Sequence, residues 1–320
     1  MKLVTIDNTA SGLPGAVLHS GEILHFGKAA ARGTLEVWIP HSVRAILEAG
    51  PAGLALVRQL LERVEGASAS VQNQLRESGA ITGADTRLLA PVPNPGLVVA
   101  AGLAFKSHLA EMSGTPVPAK PTGFIKSPNS IIGPDAFIWV PPDASGHIDY
   151  EGEMGVVFGK TCHRVSVADA MGYVAGYTAA NDVSARDWVQ DVFEARDAWP
   201  GRLSWEVNIM GKQFDSFTPL GPVLATADDI GDVTALQIVT RLNGKIMQSA
   251  PLSDLIFSIA ETIAYFSRWY TFHPGDVLLT GTPAGVGVGR KPPVFMNAGD
   301  VIEVDIGGIG VLRNTLKVAA

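Results

Sequence analysis

The run Tyr150-Glu-Gly-Glu-Met-Gly-Val-Val-Phe158 constrains what this chain can fold into more than any other segment. From Met154 to Phe158 it is apolar and is closed by Gly159, the pattern of a short buried strand. At its mouth stand Glu151 and Glu153. Side chains two apart on a strand point the same way. Whatever packs over this strand must therefore accept two like charges on one face. A cation between them is the simplest solution.

The rest of the composition is compatible with a sizeable core. The chain has 320 residues, 47% of them hydrophobic, which sets a prior of two domains. A formal net charge of −7 and a pI near 5.5, with no basic block, argue against binding nucleic acid. A single cysteine, Cys162, excludes an internal disulfide and any multi-cysteine zinc site, and suits a reducing cytoplasm. The opening Met1-Lys-Leu-Val-Thr-Ile-Asp7 is strand-like and lacks the apolar core of a signal peptide. The longest apolar run, Gly96 to Phe105, is well short of the ~18–20 residues of a membrane span, so no membrane partner is expected.

Thirty-five glycines and 21 prolines imply many short elements joined by turns. Residues 1–80 read as a small α+β unit. Strands are expected near 3–6, 15–19 and 22–25, followed by helical segments at 40–50 and 53–65. The stretch 81–96, with Pro91, Pro93 and Pro95, reads as a linker. Residues 97–320 are strand-rich. Strands are expected at 97–103, 122–126, 136–140, 153–158, 173–180, 220–224, 236–242, 276–281, 301–305 and 310–316, a density that suggests a curled or two-layer sheet. One helix is expected from an N-cap at Ser253 to Tyr270, with Leu255, Ile256, Ile259, Ile263, Phe266 and Trp269 as its apolar stripe. Two phrases, His273-Pro-Gly-Asp-Val-Leu-Leu-Thr280 and Asn297-Ala-Gly-Asp-Val-Ile-Glu-Val304, each place a Gly-Asp turn before a strand.

Three constellations could carry chemistry. Glu151 and Glu153 with Asp182, at the end of an apolar strand, would make an all-oxygen site for a hard cation such as Mg2+, Mn2+ or Ca2+. The alternative is a solvated Glu-x-Glu edge and a helix-capping Asp182. Arg186 and Asp187 read as structural ion-pair formers. His108 and Glu111, at i and i+3, share one helical face, where a carboxylate can orient an imidazole as a general base. An ordinary surface pair has the same spacing. Lys126 and Lys212 end apolar stretches and could balance an anionic substrate or simply snorkel. The loop Gly281-Thr-Pro-Ala-Gly-Val-Gly287 lacks the lysine spacing of a phosphate-binding loop.

Taken in order, these motifs resemble a known family. His108-x-x-Glu111, Phe124-x-Lys126, Asp149-Tyr-Glu-Gly-Glu153, Asn181-Asp-Val-Ser-Ala-Arg-Asp187, Gly211-Lys-x-Phe-Asp-x-Phe-x-Pro-Leu-Gly-Pro222 and Pro274-Gly-Asp-Val-Leu-Leu-Thr-Gly-Thr-Pro-x-Gly-Val-Gly287 resemble, as a series, the fumarylacetoacetate hydrolase family over about 97–316. Each motif alone is weak; six in order are specific. The resemblance implies an α+β, mainly β fold: a mixed β-roll catalytic domain at 97–320 behind a small N-terminal domain. It implies Mg2+ or Mn2+ on Glu151, Glu153 and Asp182, water activation by His108 and Glu111, and charge stabilisation by Lys212. Lys126, Thr282 and Gln190 would contact substrate, and homodimers are common in the family. The reaction expected is hydrolysis of a C–C bond in a 2,4-dioxo acid such as an acylpyruvate. A 2-oxo acid decarboxylase, hydratase or isomerase is the alternative. Three departures bear on the substrate. Val189 stands where the family often has glutamine, with Gln190 one residue on, and a one-residue shift on a helix turns a side chain by about 100°. Ala104-Phe105 replaces a common Asn-Tyr. The segment Trp188–Glu206, with three tryptophans, is longer than usual and could form a lid, a dimer contact or core.

Overall fold

The computed structural model describes residues 1–8, 12–31, 39–112, 115–142, 146–187, 194 and 196–319, without the side chains of 200, 201, 204 and 205. In the first part of the chain lie β1 (Lys2–Ile6), β2 (Leu13–Val17), β3 (Ile23–His25), β4 (Ile81–Thr82) and β5 (Leu88–Leu89). Next come β6 (Val98–Gly102), β7 (Thr122–Lys126), β8 (Ile131–Ile132), β9 (Phe137–Val140), β10 (Ile148–Asp149), β11 (Gly152–Phe158), β12 (Val174–Asn181) and β13 (Ser184–Ala185). The series ends with β14 (Thr218–Thr226), β15 (Gln237–Leu242), β16 (Lys245–Pro251), β17 (Val277–Leu279), β18 (Val301–Ile306) and β19 (Gly310–Val318).

Among the described residues these strands form three sheets. A twelve-stranded sheet runs β4-β3-β2-β1-β14-β12-β11-β17-β6-β7, with β5 on β1 and β8 on β14. A five-stranded sheet runs β16-β15-β18-β19-β9, and β10 pairs with β13. The strand-dominated α+β class expected from the sequence is what the chain forms.

The strand β11 lies inside the large sheet between β12 and β17, and all seven of its residues are buried. Val157 packs into the core beneath the helices Val43–Glu48 and Gly50–Glu65. Met154, Val156 and Phe158 point the other way, into the core shared with β15, β18 and the helix Ile259–Phe266. A strand covered on both faces needs apolar residues at every position, which is why its sequence reads as a run rather than an alternation.

Both Gly-Asp turns form with the same geometry. Gly275 and Gly299 take φ of 88° and 92°, where a side chain is disfavoured. Asp276 and Asp300 each accept a hydrogen bond at 2.7 Å from the amide three residues back, His273 and Asn297. Asp276 also receives the amides of Gly96 and Leu97 at 2.9 and 3.0 Å, which ties the start of β6 to β17.

Two expectations change. The stretch 81–96 does not run free: β4 pairs with β3 and β5 with β1, so its residues complete the large sheet. The helix expected from Ser253 begins at Ile259. Its N-cap is Ser258, which forms a capping box with Glu261. Upstream, Leu255 bridges to Phe105 and Ile256 N donates to Ala104 O at 2.8 Å, so these apolar residues serve as a loop against the segment before His108. The helix ends at Phe266, which leaves Trp269 68% exposed rather than in the stripe.

Candidate active site

The antiparallel register of β11 and β12 builds the site. Gly152 pairs with Asn181 and Glu153 with Ala180, so Asp182 emerges beside Glu151, and its amide donates to Glu151 O at 2.9 Å. One carboxylate oxygen from each of Glu151, Glu153 and Asp182 lies within 4.8 Å of the others, and all three residues are buried. The solvated-edge reading is thereby removed, because these carboxylates are not at a solvated edge.

Two buried lysines converge on them. Lys126, 0% exposed, pairs with Asp182 and donates to Phe217 O at 3.1 Å. Lys212 donates to Glu151 at 2.8 Å, Asp182 at 2.7 Å and Ser184 Oγ at 2.7 Å. Neither lysine snorkels. Burial pushes the Lys126 ammonium below its usual range, with Lys212 adding to the effect. Burial acts on Lys212 in the same sense, but Asp182 and Glu151 together raise it. One carboxylate partner does not offset complete burial; two do.

Arg186 is more than a peripheral ion pair. It pairs with Glu151 of the cluster and donates to Asp149 at 3.0 Å. Asp149, fully buried, also accepts from the amides of Tyr150, Gly287 and Val288 at 2.8, 2.6 and 3.2 Å. Asp149 thus anchors the glycine loop against the Glu-x-Glu segment. Sequence reading missed it because the chain turns at Tyr150, between β10 and β11, and strand alternation does not carry across that turn. Asp187 lies 2.6 Å from His147 Nδ1, a hydrogen-bonded contact that is an ion pair only with a protonated imidazole.

The charges do not balance. Glu151, Asp182 and Asp149 have Lys126, Lys212 and Arg186 as partners, whereas no cationic side chain lies within ion-pair distance of Glu153 among the described residues. Its carboxylate accepts the Gly281 amide at 2.8 Å. Burial, then the charges of Asp182 and Glu151, push Glu153 well above the usual carboxylate range. Burial alone would raise Glu151 too, but Lys212 and Arg186 hold it below that range. A divalent cation would supply the charge that Glu153 lacks, and an all-oxygen donor set without cysteine or histidine suits Mg2+ or Mn2+. The residues therefore fit the metal.

The His108–Glu111 pair stands next to this cluster. His108 and Glu111 lie on the short helix Lys106–Glu111, and His108 Nδ1 is 2.7 Å from Glu111 Oε1. The other Glu111 oxygen accepts the Gly285 amide at 2.8 Å. The glycine loop thus spends its amides on three protein carboxylates, Glu153, Glu111 and Asp149. His108 is 8% exposed, so this is not a surface pair. Thr282 also belongs to this loop, and its hydroxyl donates to Gly152 O at 3.0 Å. Gln190, with Val189 and Trp188, lies outside the described residues. Trp199, in the helix Ala198–Met210, is 62% exposed, with Arg202 stacked 5.3 Å from its ring centre.

Residues 97–317 match the model of the fumarylacetoacetate hydrolase C-terminal domain. The chain belongs to the fumarylacetoacetate hydrolase family. Among curated members, oxaloacetate tautomerase FAHD2A, mitochondrial, from Homo sapiens is 39% identical over 276 residues, 86% of this chain and 80% of that protein. The fumarylacetoacetate hydrolase of Exiguobacterium antarcticum superposes with a TM-score of 0.75 at 29% identity, covering 100% of both chains. The 5-carboxymethyl-2-hydroxymuconate delta-isomerase of Mycobacterium smegmatis superposes with a TM-score of 0.61 at 35% identity over 75% of this chain and 87% of its own. The family holds hydrolases, tautomerases and isomerases, so membership makes this chain an enzyme of that group without selecting the reaction.

Proposed function

We propose that this family member is a divalent-metal-dependent enzyme that interconverts the keto and enol forms of a small 2-oxo dicarboxylate of the oxaloacetate kind. The observation that carries the reading is a buried proton-handling pair, His108 and Glu111, beside a three-carboxylate cluster with one uncompensated charge. The 39% identity to an oxaloacetate tautomerase over 86% of the chain favours proton transfer over the C–C hydrolysis expected from the motifs.

Glu151, Glu153 and Asp182 would hold the cation. When bound, it supplies Lewis-acid charge beside the substrate's carboxylate and 2-oxo oxygens. The protein's own groups do the rest. With Nδ1–H donated to Glu111, His108 keeps Nε2 as a free acceptor. In the keto-to-enol direction Nε2 takes a proton from the carbon next to the 2-oxo group. The C–H electron pair becomes the new C=C bond, and the carbonyl pair moves onto oxygen. The proton then returns to that oxygen. Lys212, already donating to Glu151 and Asp182, adds positive charge where the oxyanion develops. Lys126 is bound to Asp182 and fixes that carboxylate from the side of β7.

Hydrolysis of a 2,4-dioxo acid is the second reading. The Exiguobacterium hydrolase, aligned over the whole of both chains, favours it, and His108 could equally take a proton from water. Ultraviolet monitoring of freshly dissolved enol-oxaloacetate with Mn2+ separates the two. Faster conversion to the keto form without pyruvate supports tautomerisation. No acceleration, with cleavage of acylpyruvates or fumarylpyruvate, would reverse the assignment.

A further inference from the structure

Gly152, the residue between the two glutamates, is held at both backbone groups by one closed ring of hydrogen bonds. Its N–H donates to Gln248 Oε1 at 3.0 Å. Gln248 Nε2 donates to Thr282 Oγ1 at 2.7 Å, and Thr282 Oγ1 donates to Gly152 O at 3.0 Å. The second Nε2 proton goes to Pro283 O at 2.9 Å. Gln248 belongs to none of the six motifs. It comes from β16, in the five-stranded sheet, and is 1% exposed. The close approach of that sheet needs a glycine, since a Cβ on Gly152 would sit 2.0 Å from Thr240 Oγ1.

We infer that Gln248 is a positioning residue for the metal-binding carboxylates. The Gly152 N–H lies in the peptide plane shared with Glu151, and the Gly152 C=O lies in the plane shared with Glu153. Fixing both planes fixes the directions in which the two glutamate side chains leave the backbone. Glycine is the residue whose φ and ψ are least restricted by its own structure, so the restraint has to come from outside. A planar carboxamide suits the task because it offers an acceptor and two donors in one rigid group. A carboxylate in its place would turn an acceptor toward Pro283 O. The ring also commits the only hydroxyl proton of Thr282 to Gly152, so Thr282 acts through the peptide beside the carboxylates.

This inference rests on the metal-binding half of the proposed function and not on which 2-oxo acid reacts. The test is isothermal titration of Mn2+ into wild type, Gln248→Met, Thr282→Val, Thr282→Ser and the Gln248→Met/Thr282→Val double variant, without substrate, with thermal melts of the same metal-free proteins. Groups that orient metal ligands from behind typically change affinity about 10–100-fold when removed. We expect a folded Gln248→Met to lose that much, Thr282→Val to match it, and Thr282→Ser to retain affinity. The double variant should be no weaker than either single one, as for members of one unit. Should Gln248→Met fail to fold, Thr282→Val opens the same ring from the loop side. Equal affinity in wild type and the folded variants, or independent losses that multiply in the double variant, would overturn the inference alone. A wild-type chain that takes up no Mn2+ would remove the metal reading and this inference together.

Discussion

In the part of the molecule built on β1 to β4, charged groups pair at the surface over an apolar core. Glu22 meets Arg76 at 2.7 Å and Arg44 meets Glu48 at 3.0 Å, while Leu3, Leu24, Phe26, Ile46 and Leu60 fill the interior. At the mouth of β11 the arrangement inverts. Four carboxylates and two lysines lie buried beside the half-buried Arg186, and the apolar residues stand behind them. The same sheet carries both regions. Exposed pairs are solvated and contribute about 0–1 kcal/mol each. Buried charges are costly to assemble and more costly to separate. The first region is organised for stability. The second gives up stability to hold charge where water cannot screen it.

The contrast predicts a graded series of effects. Asp182→Ala takes a partner from both buried lysines, so it should destabilise the fold by about 3–5 kcal/mol in urea titrations and abolish Mn2+ uptake. A mild loss, like that of a surface pair, would mean water already reaches the cluster. His108→Ala should leave folding and Mn2+ affinity intact while lowering turnover by about 10²–10⁴-fold. Unchanged turnover would take His108 out of the mechanism. Chelation of divalent ions should remove activity and lower the melting temperature. A ligand of the folded state at a hundred times its Kd contributes about 2.7 kcal/mol, so a melting temperature indifferent to Mn2+ would argue against the cluster as its site.

The smallest effect belongs to the surface. Glu22 is held down to about 2, first by its hydrogen bond from Arg76. Its folded pKa is depressed, so its contribution is full above the ordinary glutamate range and is lost as pH falls toward 2. Glu22→Gln should flatten this acid limb by no more than about 1 kcal/mol. A larger change would show that the pair is less exposed to solvent than its geometry indicates.

How much was legible beforehand follows from the range of each signal. Ten expected strands between 97 and 316 are present because period, glycine and proline are local. The pairing of His108 with Glu111 needed only a helical turn. Ser258-x-x-Glu261 was equally readable as a capping box, but Leu255 and Ile256 fit the helical stripe and masked it. Gln248 carried no signal at all. Its partners lie 96, 34 and 35 residues away on other elements.

The sequence by itself determined ten of the strands between 97 and 316, that the run 154–158 is buried, and that two glutamates stand on one side at its mouth, because backbone geometry and burial act over a few residues. Only the tertiary structure decided that Asp182 joins them through the β11–β12 register, that Lys126 and Lys212 are locked into ion pairs, and that a glutamine from another sheet steadies Gly152. Those outcomes depend on which distant segments share a desolvated volume, and electrostatic and hydrogen-bond energies become large only there.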